Sequence, residues 1–157
     1  MTIHRLILAA AFAFAASASY ADSSVTVDAP AGPLKGQAQG TLNVFKGVPY
    51  AQPPVGKLRW KPPQPMQRWS NAKDASDFGP ACIQPSGAMA GVYSHDPIAM
   101  SEDCLTLNIW APKDARNAPV FFWIYGGAFW GGASSDPIYD GSQLARRGVV
   151  VVTINYR

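Results

Sequence analysis

The chain has 157 residues, a formal net charge of +3, 48% hydrophobic and 15% charged residues. That charge is too small to imply nucleic acid or an anionic membrane as partner. Two cysteines, and a single histidine beyond residue 5, make no zinc site and leave no metal or cofactor ligand set to read.

Residues 1–5 carry one positive charge, residues 6–16 are apolar (LILAAAFAFAA), and residues 17–21 are small and polar. This reads as a secretory signal peptide over 1–21, cut after Ala21 or after Ala18. It is too short to span a bilayer, so no stable membrane insertion is expected once it is removed. No Cys follows the cut, which argues against a lipid anchor. The expected mature chain, residues 22–157, is therefore exported to the periplasm or beyond and is long enough for one domain. In an exported chain the even pair Cys82 and Cys104 suggests a disulfide.

Residues 25–29 alternate weakly and read as a short strand. Residues 30–40, with two prolines and three glycines, read as turn. Residues 42–51 read as a strand with Pro49 near its end. Residues 52–65 hold five prolines and are expected to be an extended loop with Trp60 inserted as an anchor. Trp69 and Phe78 are expected anchors too. Residues 83–103, between the cysteines, are loop-like; both a functional closed loop and a solvated flap fit that composition. Residues 105–111 (LTLNIWA) form a strong strand pattern, with Leu105, Leu107 and Ile109 on one face and Cys104, Thr106 and Asn108 on the other.

Residues 119–125 are an unbroken apolar run that reads as the central strand, buried on both faces. It opens into Gly126-Gly127-Ala128-Phe129-Trp130-Gly131-Gly132. A glycine turn after a buried strand is where an open α/β sheet places its site. Such a turn can aim successive backbone N–H groups at a developing oxyanion. A phosphate loop fits poorly, because there is no GxGxxG, no following Lys-Ser/Thr, and two bulky aromatics stand in the way. A purely structural turn is the alternative. Residues 140–147 read as a short helix, capped by Asp140 or Ser142 and stopped by Gly148, and residues 149–155 as a buried strand. Strand, helix and strand make a right-handed crossover between two parallel strands.

A nucleophile is harder to find. The nearest approach to GxSxG is Gly132-Ala133-Ser134-Ser135-Asp136, which lacks the last glycine and follows a loop. His95 reads as a surface loop residue, and Glu102 is the only glutamate in the chain. Arg59 and Glu102 lie in segments expected to pack near the core, where a buried ion pair would join them; two unrelated surface charges are the alternative.

Three stretches in order, FKGVPYAQPPVGKLRW (45–60), SEDCLTLNIWAP (101–112) and PVFFWIYGGAFWGG running on through YDGSQLARRGVVVVTINYR, resemble the type B carboxylesterases. The resemblance covers about residues 25–157. It implies an α/β-hydrolase fold, represented by its N-terminal part: a small N-terminal β-sheet plus the first strands of the central sheet. It implies that Gly127 and Ala128 are the oxyanion-hole donors, with Gly126 shaping the turn. It places the family's first disulfide on Cys82 and Cys104, a family salt bridge on Arg59 and Glu102, and on Arg157 an arginine whose acidic partner lies further on. Most bacterial members have His where this chain has Tyr125, whereas cholinesterases also have Tyr. No Trp lies between the cysteines, so a choline preference is not supported.

The activity implied is carboxylic ester hydrolysis through a serine acyl-enzyme, acting on a small-molecule ester and needing no cofactor. The catalytic Ser, acid and His have no counterparts here, so the chain is expected to be the front of a longer domain, truncated before the nucleophile elbow and inactive by itself. The alternatives are a non-catalytic binding or adhesion member of the same fold, or a non-functional truncated product.

Overall fold

A computed structural model describes residues 23–85 and 99–157. The leader and His95 lie outside the described residues. Seven strands form one mixed sheet: β1 (Ser23–Ala29), β2 (Gly32–Gln39), β3 (Leu42–Pro49), β4 (Lys73–Asp74), β5 (Thr106–Pro112), β6 (Val120–Ile124) and β7 (Val150–Ile154). Their order is β1-β2-β3-β5-β7-β6, with β4 paired to β2 off that path. All neighbours on the path are antiparallel except β6 and β7, which are parallel. A parallel pair needs a crossover. It is supplied by a 3-10 turn at Pro137–Tyr139 and the short helix α1 (Ser142–Ala145). Asp140 Oδ1 accepts from the Ser142 N–H at 2.8 Å, and the Gly148 N–H closes the far end on the Ala145 carbonyl at 3.0 Å.

Residues 30–40 are not turn. Most of that stretch is β2, in which Leu34, Gly36 and Ala38 are buried and alternate with more exposed residues. Glycine is required here for close packing: a Cβ on Gly36 would lie 2.3 Å from the Val44 carbonyl oxygen and 2.5 Å from the Phe45 ring. Tertiary pairing on both sides thus overrides a composition that favours turns.

The core lies on both faces of the sheet. Leu42, Val44, Trp110, Ala145 and Val151 make one cluster. Leu34, Phe45, Val48 and Ala75 make the other, with Trp69 packed against it. β3 serves both, with Val44 on one face and Phe45 on the other, and a bulge follows. Phe45 is opposite Ile109 and Val48 opposite Leu107, so three steps on β3 match two on β5. The extra residue moves Val48 onto the face of Phe45. Trp69 is tied down by its indole N–H, which donates to the Pro33 carbonyl at 2.9 Å. Phe78 leans on Trp110 with ring centroids 6.3 Å apart.

One expected anchor of the core, Trp60, is elsewhere. Trp60 is 85% exposed on a left-handed backbone (φ 60), with the Arg59 guanidinium 5.5 Å from its ring. Among the described residues β6 stands at one end of the strand order, beside β7, with Val120 64% and Ile124 61% exposed. An apolar run specifies two covering layers. Among the described residues one face of β6 is covered in part, by Tyr139 against Trp123 with ring centroids 5.6 Å apart. On β5 the fully buried face is Thr106, Asn108 and Trp110, while Leu107 and Ile109 are only half-buried.

Candidate oxyanion site

The glycine turn follows β6 directly. Tyr125 is buried beneath it, and the ring would meet a Cβ on Gly132 at 2.7 Å. The turn closes on itself, with the N–H groups of Trp130 and Gly131 donating to the Gly127 carbonyl at 2.8 and 3.3 Å. Gly127 has φ 154, and a Cβ there would sit 1.8 Å from the Gly131 carbonyl oxygen, so no other residue fits. Ala128 and Phe129 follow at φ 52 and φ 58. Two consecutive non-glycine residues in the left-handed region cost of order 1–3 kcal/mol each, a strain that persists only where the surroundings impose it.

Neither the Gly127 nor the Ala128 N–H donates to any described residue. They are consecutive donors without an internal acceptor, on a turn held by its other bonds. That arrangement suits a transient anion: the donors are in place before charge develops.

The turn is anchored at its C-terminal side by polar side chains. The Gly132 N–H donates to Gln84 Oε1 at 2.6 Å, and Gln84 Nε2 donates back to the Gly132 carbonyl at 2.9 Å. The Ser134 N–H donates to Asn155 Oδ1 at 2.8 Å. Asn108 Nδ2 donates to Ser134 Oγ and to Thr153 Oγ1, each at 3.0 Å, while Asn108 Oδ1 accepts from the Gly47 N–H at 2.9 Å. Asn155 Nδ2 reaches the Pro80 carbonyl at 3.0 Å. Asn108, Ser134, Thr153 and Asn155 are all buried, so each bond offsets a desolvation cost that an unpaired group would carry in full. This network joins the β3 bulge, β5 and β7 to the segment that leaves the turn.

Cys82 and Cys104 form a disulfide, with S–S 2.07 Å and Cα–Cα 5.0 Å. Together with Gln84, Tyr125, Trp130 and Tyr156, Cys82 lines a cleft of about 110 Å³ beside the turn. A larger open groove of about 750 Å³ continues past Tyr156 and Arg157 to Tyr50 and Trp60. Arg157 donates to the Lys61 carbonyl there. The Tyr50 phenol donates to the Asn155 carbonyl at 2.8 Å, and burial pushes its pKa up while Arg157 pulls it down.

Arg59 and Glu102 are ion-paired, but at the surface, with side chains 56% and 38% exposed, and not in the core. Water screens such a pair, which contributes roughly 0–1 kcal/mol. Gln84, Asn108 and Asn155 carry no motif in the sequence. The one readable signal is that Asn108 and Asn155 stand in strongly apolar strand patterns, where a polar residue needs buried partners.

The carboxylesterase family model matches residues 23–157. The chain belongs to the carboxylesterase family. It is 48% identical over 128 residues to the para-nitrobenzyl esterase of Bacillus subtilis (strain 168), a match covering 80% of this chain and 26% of that protein. It is 45% identical over 125 residues to the cholinesterase of Mus musculus, covering 75% of this chain and 21% of that one. Among solved structures, a PNB esterase superposes with a TM-score of 0.77 at 46% identity, covering 84% of this chain and 27% of the other. The juvenile hormone esterase of Manduca sexta gives the same TM-score, 0.77, at 36% identity, covering 86% and 27%. The chain thus spans about a quarter of the length of these carboxylesterases, which are α/β-hydrolases, and its mixed sheet is part of that fold. Among the described residues no group of three His, Cys, Asp or Glu could hold a metal ion, and no helix is long and apolar enough to cross a membrane.

Proposed function

We propose that this chain carries the oxyanion hole of an exported carboxylic ester hydrolase, with the Gly127 and Ala128 N–H groups as donors and Gly126 leading into the turn. The observation that carries the reading is the pair of consecutive N–H groups, unengaged among the described residues, on a strained turn at the end of a sheet strand. In the intact reaction a serine hydroxyl adds to the ester carbonyl carbon, and the former carbonyl oxygen becomes the oxyanion these donors hold. The C–O bond to the alcohol breaks, the alcohol leaves with the serine's proton, and water releases the acid and restores the serine. The nucleophile, its base and the acid come from beyond these 157 residues, so the chain by itself does not turn over esters. The signal-peptide reading of residues 1–21 and the disulfide support export to the periplasm or beyond.

The test is a chimera in which residues 23–157 replace the matching segment of the Bacillus subtilis esterase. The expected result is that the chimera hydrolyses p-nitrophenyl esters and the 157-residue chain does not. A folded chimera without turnover overturns the oxyanion reading and favours a binding role. Turnover by the pure 157-residue chain, abolished by a serine-directed inhibitor, overturns the claim that it is inactive by itself.

A further inference from the structure

We propose that Gln84 is a positioning residue for the oxyanion turn, coupling it to the Cys82–Cys104 disulfide; the inference rests on the functional reading above. The turn's internal bonds all converge on the Gly127 carbonyl and close the loop without saying where it points. Its orientation depends on what holds its far end. Gln84 does this in two directions at once. Its amide oxygen accepts from the Gly132 N–H at 2.6 Å and its NH₂ donates to the Gly132 carbonyl at 2.9 Å. A planar amide that engages both the N–H and the C=O of one residue restrains rotation as well as distance, which a single bond does not.

Gln84 is itself fixed. Its NH₂ also donates to the Cys82 carbonyl at 3.1 Å, and Cys82 is covalently joined to Cys104, which stands two residues before β5. Cys82, Cys104 and Leu105 pack together as a buried cluster. A continuous path therefore runs from the sheet through the disulfide and the Gln84 amide to Gly132, four residues beyond Ala128. Catalysis by preformed donors depends on their staying where the charge will appear, and small displacements are costly. Loss of the clamp should therefore cost transition-state stabilisation and leave ground-state binding nearly unchanged.

The experiment uses the chimera with residues 23–157 complete. Gln84→Ala is expected to lower kcat by about 10–100-fold with KM within about twofold, and to weaken binding of a trifluoromethyl ketone, which forms a tetrahedral adduct, in parallel with kcat/KM. Exchange of the Gly132 amide hydrogen is expected to speed up. Gln84→Glu keeps the shape and the acceptor but loses both donor bonds when ionised. Its kcat relative to the parent is expected to rise as pH falls and the protonated carboxyl regains one of the two donor bonds, a signature that a loss of folding stability would not produce. Gln84→Glu also carries the test if Gln84→Ala does not fold. A folded Gln84→Ala chimera with kcat within twofold of the parent, a loss confined to KM, or unchanged Gly132 exchange overturns the positioning role while leaving the functional reading intact. A folded but inactive parent chimera overturns that reading, and this inference with it.

Discussion

Tyr125 and Tyr156 hold each other by reciprocal bonds: the Tyr156 phenol donates to the Tyr125 carbonyl at 2.7 Å, and the Tyr125 phenol donates to the Tyr156 carbonyl at 3.4 Å. Their rings stack with centroids 4.5 Å apart. The two residues follow the parallel strands β6 and β7, so the pair locks together the strand ends from which the glycine turn departs.

That lock is sensitive to alkali. The Tyr125 phenol is pushed up from its ordinary 10.0 to about 12, first by burial and also by the neighbouring tyrosines. The unfolded chain loses this proton at lower pH than the folded chain. Its contribution to stability is therefore fully present below about pH 10 and is lost as pH rises towards 12. Melting of the chimera over that window is expected to fall more steeply for the parent than for Tyr125→Phe, which has no proton to lose there. Parallel curves would sink this account.

The polar network behind the turn makes Asn108 a stability residue. Asn108→Ala leaves the Gly47 N–H and the Ser134 and Thr153 hydroxyls short of partners in a buried setting. The expected loss is roughly 2–5 kcal/mol, read as a lower urea midpoint. A loss below about 1 kcal/mol would mean that water reaches these groups.

The disulfide closes a segment with a sequence separation of 22. On the chain-entropy account its removal costs about 3 kcal/mol. Cys82→Ser with Cys104→Ser should shift the midpoint by that amount without reductant, and adding reductant should then change nothing further. The same variant should also lower kcat if Gln84 transmits the position of Cys82 to the turn.

Gly127 tolerates no side chain. In Gly127→Ala the new Cβ would meet the Gly131 carbonyl oxygen at 1.8 Å, so the turn must open. The expected loss in kcat is about 10²–10³-fold, the range for losing one oxyanion donor, with a smaller change in KM. A kcat within a few-fold of the parent would remove Gly127 from the site.

Much of the fold is legible in the chain because short-range physics decides it. The patterns at 42–51, 105–111 and 149–155 correspond to β3, β5 and β7, and Gly148, at φ 91, closes the turn that follows α1. The glycine turn is equally plain, since a run of glycines after an apolar strand has few other uses. What failed did so for a common reason. β2 is a strand because β1 and β3 pair with it and Gly36 must clear Phe45, neither of which its own composition contains. The apolar run of β6 shows that its residues suit burial on two faces, but that its partner is β7 is set by pairing order.

The site divides the same way. Local sequence determined that a turn at 126–132 could present two free N–H groups, because glycine spacing and backbone sterics act within a few residues. Only the tertiary structure decided what aims them. Gln84 lies 48 residues from Gly132, and Asn108 lies 61 residues from Gly47 and 26 from Ser134. Hydrogen bonds between such distant partners have no period or spacing to betray them. They exist because folding buries those polar groups together, where each must find its partners within the protein.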